Sequence, residues 1–253
     1  MVYLTLTQAP RNVKECVDWL LAVKGNDPER NLKALGTAVY DFLADKPVGK
    51  MEVAALEEVK RISKEFLEQE GLRKLPFIKT LLKKFNGPVN KKVYQRFAVF
   101  YDVEDSDYEN VVRNTPLLPE KITLNIAKVV YATELFLDDV KDPHKYTSAY
   151  GSEATWEASC AEDPQACAMV FVGIAPMLYA GLLSLRSAGI AAPWRWLISS
   201  WAKSPEDVMK AVGYNEPQCR NSISGSDLLE ALRRVNADVL HIIYDLAGFW
   251  AFY

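Results

Sequence analysis

Apolar residues recur along this chain at intervals of three and four, the spacing that lines one side of an α-helix. Val13, Cys16, Val17, Leu20 and Leu21 form the first such stripe, with Asn12 and Glu15 placed as a capping box and Gly25 as a stop. Asn26, Asp27 and Pro28 read as a tight turn into a second helix carrying Leu32, Leu35, Val39, Phe42 and Leu43. The spacing therefore predicts an antiparallel pair. A third helix, Met51 to Glu70, sets Val53, Leu56, Val59, Ile62 and Phe66 inward beneath a heavily charged outer face, and Gly71 ends it. Shorter helices are predicted from Pro76 to Phe85 and from Asn90 to Tyr101, divided by Asn86, Gly87 and Pro88.

An acidic stretch, Asp102 to Glu109, reads as a loop or single turn. The helical pattern returns from Pro119 to Val140 with Ile122, Ile126, Val129, Val130, Thr133 and Leu137. Asp142 to Asp163 is the least regular part, and Phe97 to Val103 is the nearest thing to a strand. No residue from Ala166 to Leu185 is charged, a length close to the ~20 residues that cross a bilayer. Pro176 and its position amid amphipathic helices instead suggest a buried central helix, kinked or broken at that proline. Ser204, Pro205, Glu206 and Asp207 mark a further helix start. A long last helix is predicted from about Ser226, with Leu229, Leu232, Val235, Val239, Ile242, Leu246 and Trp250 inward. Loops are short and no Gly/Ser linker appears, so residues 1–253 read as one all-α domain, a compact, bundle-like assembly of many helices around a buried apolar one.

Composition narrows the function classes. With 49% hydrophobic and 25% charged residues the chain has the makings of a large core, which excludes disorder. A formal charge of −3 argues against nucleic acid as a partner while leaving local basic patches open. Met1 to Pro10 are too short and too polar for a secretory signal. The two histidines, His144 and His241, stand far apart, no glycine-rich phosphate loop is present, and Glu57-Glu58 and Asp138-Asp139 are adjacent positions that diverge on a helix. The reading is of a non-enzyme, with no catalytic, cofactor-binding or metal-binding residues and no cofactor. The four cysteines, Cys16, Cys160, Cys167 and Cys219, allow three pairings or none. Cys160 and Cys167 bracket a short polar loop where a local bridge is easy, and Cys16 on an apolar stripe reads equally well as a buried thiol.

Two features suggest contact with partners. Between Arg73 and Arg96 stand Arg73, Lys74, Lys79, Lys83, Lys84, Lys91, Lys92 and Arg96, with no Asp or Glu among them. Lys79, Lys83, Lys84, Lys91, Lys92 and Arg96 form a candidate surface for anionic lipid, sulfated glycan or an acidic protein. The alternative is a solvated face whose partner acids come from Asp102 to Glu109. Trp194, Trp196 and Trp201 are a candidate adhesive cluster or, more simply, core.

The segment Asn12 to Asp27 (NVKECVDWLLAVKGND), continued by Asn31 to Leu35 (NLKAL), resembles the opening of the variant erythrocyte surface antigens of Babesia-type parasites. Phe171 to Leu182 (FVGIAPMLYAGL) is similar to that family's apolar Gly-x-x-Pro-Leu-x-Tyr segment, and Met209 to Tyr214 and Gly225 to Leu229 also resemble its pattern. The matches follow the family's order and cover the beginning and last third. The family's insertions, membrane span and tail have no counterpart here, so the chain reads as an ectodomain piece or a short divergent member. Any membrane attachment would reside in a region this chain lacks. The resemblance implies display on, or export to, the infected red cell, antigenic variation, immune evasion, and adhesion to a host cell-surface protein or glycan. An extracellular setting also favours a Cys160–Cys167 disulfide. On this reading the loops Asn86 to Lys92, Asp142 to Ser152 and Asn215 to Ser226 tolerate change while the apolar stripes do not.

Overall fold

A computed structural model describes residues 2–87, 103–114, 118–194, 204–220 and 223–253. Among them the chain is helical, and its only bridges of β type are isolated, Tyr3 with Tyr150 and Lys141 with Cys219. The predicted helix at 90–101, the near-strand at 97–103 and the side chains of Trp194, Trp196 and Trp201 fall outside the described residues.

The first helices form as their sequences dictate. Helix α1, Val13–Lys24, starts where the Asn12 side chain accepts the Glu15 N–H at 3.0 Å. Glu15 in turn accepts the Arg11 N–H at 2.8 Å and the Tyr3 hydroxyl at 2.8 Å, which fastens the N-terminal segment to this turn. Helix α2, Pro28–Leu43, is capped by Asp27, and its predicted stripe is buried throughout. Helix α3, Ala54–Leu67, is shorter than the pattern suggested because residues 49–51 are committed elsewhere. The Gly49 N–H donates to the Trp250 carbonyl at 2.9 Å and the Met51 N–H to Ala251 at 2.7 Å, pairing this segment with the C-terminal backbone. Helix α4 spans Pro76–Asn86, and a short α5, Val111–Asn114, precedes α6, Pro119–Val140, which has the predicted bounds and a fully buried stripe.

After a single turn, α7 at Trp156–Ser159, comes the centre of the molecule, α8 at Pro164–Ala191. It runs through Pro176 without a break, so the interruption the sequence allowed does not occur. Proline removes a backbone donor inside the helix, and neighbouring carbonyls then need other partners. The carbonyl that loses its donor is Val172; beside it, the Gly173 carbonyl accepts the Ser63 hydroxyl of α3 at 2.6 Å. Helices α1, α2, α3 and α4 pack against α8, as do the later helices α9 (Pro205–Ala211), α10 (Gly225–Ala231) and α11 (Ala237–Asp245). By length and composition α8 could cross a bilayer. Here 78% of its most apolar window is buried by these neighbours.

The packing is close because α8 presents glycines. A β-carbon at Gly181 would lie 2.0 Å from Val13 Cγ2, and one at Gly173 would lie 2.5 Å from Val59 Cγ1. The long last helix predicted from the sequence is instead divided. A 3-10 turn at Leu232–Arg234 follows α10, Asn236 caps α11, and a final turn, α12 at Phe249–Phe252, follows Gly248 in the left-handed region at φ +67°. These breaks turn Val235, Leu246, Phe249 and Trp250 into one core, which a straight helix would spread around its circumference.

Candidate functional site

Helix α4 divides its lysines between two environments. Its inner edge carries Ile78 and Leu81, and Lys84 lies one turn further along that edge, 3% exposed. The Lys84 ammonium pairs with the Asp107 carboxylate and the Tyr244 hydroxyl, and it sits over the rings of Phe249 and Tyr244 at 4.8 and 5.1 Å. Tyr244 also donates to Asp107 at 2.9 Å. Lys84 is therefore not part of a surface for an anionic partner. The apolar stripe carries it inside, and a buried ammonium is tolerated only beside an opposite charge with its protons bonded. The acid comes from the Asp102 to Glu109 stretch, so the solvated-face alternative found the right partner for this lysine but placed it on the wrong side of the helix.

Lys79 and Lys83 point the other way. Both are exposed, as are Arg73 and Lys74 in the turn before the helix, and among the described residues none of them forms an ion pair. Lys91, Lys92 and Arg96, the remaining residues of the candidate surface, lie outside the described residues. The neighbouring helix shows what an ordinary solvated face looks like. On α3, Arg61 bridges Glu58 and Glu65, and Lys64 lies 3.8 Å from Glu68; Lys60, buried at the edge of that face, pairs with Glu57 at 2.7 Å while donating to the Phe252 carbonyl at 2.6 Å. Hydrogen bonding from Arg61 holds the Glu58 carboxyl below the usual carboxylate range, and the same contacts with Glu58 and Glu65 raise the guanidinium. That face neutralises itself. The outer face of α4 does not do so among the described residues.

A cleft of about 180 Å³ lies between the two helices and the C-terminal turn, lined by Lys50, Glu57, Lys60, Arg61, Lys64 and Phe85 among others. A wider one, about 590 Å³, is bordered by Glu206, Lys210, Tyr214, Cys219 and Arg220, a mixture of signs. Burial pushes the Cys219 thiol up to about 11, which leaves it protonated and weakly nucleophilic at neutral pH. His144 and His241 are exposed, His241 lying 3.9 Å from Glu104.

Cys160 and Cys167 are joined in a disulfide with Cα atoms 5.9 Å apart, both buried, tying the end of α7 to the first turn of α8. Cys16 and Cys219 are free and buried. Sequence reasoning missed a second buried charge cluster. Asp18, 2% exposed, accepts from Lys14 at 2.9 Å, the Tyr146 hydroxyl at 2.5 Å and the Ala149 N–H at 2.8 Å. Desolvation, followed by the charge of Asp18, drives the Tyr146 hydroxyl far above its ordinary pKa. The signal was present as an i, i+4 pair of opposite charges in an otherwise apolar helix face. Within Asp142 to Ser152, Tyr146, Ala149 and Tyr150 all bond to the N-terminal region.

The fold and site thus define an all-α domain with one core, a local disulfide and a basic helix face that forms no ion pair among the described residues. Comparison of the chain with protein-family models, curated proteins and solved structures gives no match.

Proposed function

We propose that this chain is a non-catalytic surface-antigen domain, displayed on or exported to the infected red cell, that presents an adhesive and variable exterior over a fixed helical core. The observation that carries the reading is where the family-like segments sit. Val13 of the first segment meets Gly181 of the second, and the Lys14 N–H donates to the Val212 carbonyl of the third at 3.1 Å. Leu229 of the last lies where a side chain at Gly189 of α8 would have to go. Segments far apart in the chain thus build one packed centre, the part of such an antigen that must stay constant while its surface changes. The Cys160–Cys167 bond supports an oxidising compartment, where local disulfides persist.

Antibodies raised against the purified chain should label intact, unpermeabilised infected red cells. Labelling only after permeabilisation would contradict display. A second reading, an exported soluble protein that binds an acidic partner or membrane from within the cell, draws on the α4 lysines, and it is what that contradicting result would favour.

A further inference from the structure

We infer that the outer face of α4, with Arg73, Lys74, Lys79 and Lys83, is a binding surface for a linear sulfated glycan. The inference rests on the surface-display reading above for where such a ligand would be met.

Four exposed cations gather within eleven residues, and no acid occurs between Glu70 and Gly87 to offset them. Lys79 and Lys83 are four residues apart, which on a helix puts their stems on one side with a rise of about 6 Å. Arg73 and Lys74 extend the same charge beyond the N-terminal end of α4. Charge that meets no counterion among the described residues raises the local potential and attracts polyanions, in contrast to the self-paired face of α3 next to it. Conversely, a chain of formal charge −3 has no reason to accumulate this patch for solubility.

The chemistry of the face selects among polyanions. No residue of α4 is among the large exposed hydrophobics, and Phe77, Leu82 and Phe85 lean against the core. A lipid surface held by peripheral protein usually receives an apolar wedge as well as charge, and a protein partner usually finds an aromatic or aliphatic anchor. Neither is offered by α4 among the described residues. Lysine predominates over arginine, and an ammonium on a flexible stem suits a row of sulfates of variable register better than a single planar carboxylate or phosphate. A flexible, highly charged polymer bound by charge alone fits all of these features.

The test uses the full chain with a defined heparin-derived octasaccharide, its desulfated counterpart, and vesicles of phosphatidylserine with phosphatidylcholine, each titrated at low and at near-physiological salt. The sulfated octasaccharide should bind, and its dissociation constant should rise about tenfold or more between the two salts, since exposed charges are screened over a shorter distance. Lys79→Glu with Lys83→Glu should weaken binding about tenfold or more. Lys33→Glu with Lys128→Glu, an equal charge change at exposed positions on α2 and α6, should stay within about twofold, because the potential falls off with distance. Circular dichroism and melting of each variant confirm that it is folded. Absent binding by the unaltered chain, equal affinity for the desulfated sugar, equal loss in both double variants, or binding to vesicles alone would each overturn the proposal. Failure here leaves the cell-labelling result untouched, so the ligand class and the display reading fail separately.

Discussion

The seam around α8 and the outer face of α4 are adjacent in the fold and follow opposite rules. At the seam, glycines let helices approach until a single added carbon has no room, as at Gly181 against Val13. On the face, lysines stand in solvent with no described partner, and almost any side chain fits. The contrast runs through one pair of neighbours in sequence. Lys83 belongs to the face, and Lys84 belongs to the interior, held by Asp107 and Tyr244. A run of basic residues is therefore not one feature. Its members are assigned by helical phase, and the phase decides which charges stabilise the protein and which are left to meet something else.

The sharpest way to break this contrast is to treat the two lysines alike. Lys84→Met should destabilise the domain by about 3–5 kcal/mol in denaturant titration, because Asp107 stays buried without its counter-charge. A loss below about 1 kcal/mol would mean that Lys84 is not interior. At the seam, Gly181→Ala should cost about 1–3 kcal/mol through overpacking against Val13, read as a lowered melting temperature. A neutral or stabilising outcome would show that α1 and α8 are further apart than described. Replacing Cys160 and Cys167 with serine frees a loop of sequence separation 7 and should cost about 2 kcal/mol. The smallest effect is expected on the face itself, where Lys79→Glu should change stability by no more than about 0.5 kcal/mol. A larger loss would mean that the residue is packed and not free.

Much of the fold was legible in the sequence, and the exceptions have physical causes. The stripes of α1, α2 and α6, the turn at Asp27 and the caps at Asn12 and Ser204 depend on local spacing and local hydrogen bonds, which sequence records directly. Helix α3 lost its first residues to pairing between Met51 and Ala251, a contact between positions 200 apart in the chain. The break before Ala237 was signalled by Asn236, whose side chain accepts the Val239 N–H at 3.0 Å, but the apolar period carried across it concealed the stop. The continuity of α8 through Pro176 depends on tertiary burial overriding a local penalty.

The candidate site was half legible for the same reason. Periodicity put Lys79 and Lys83 on one face, and the lack of local acids marked that face as unbalanced. What periodicity did not supply was the partner that lets Lys84 lie inside, since Asp107 comes from beyond the helix and only the folded chain brings it into register. The Lys14–Asp18–Tyr146 cluster was hidden likewise, because its tyrosine arrives from 128 residues away.

The account rests on a rigid, oxidised domain whose exterior is free to act. Its most direct test is a count of thiols in protein taken from its native cells, with alkylation at lysis and mass measurement after denaturation. Two alkylated cysteines, Cys16 and Cys219, rising to four after reduction, is the expected result. Four alkylated cysteines before reduction would place the chain in a reducing compartment and contradict the proposal that it is displayed on a cell surface.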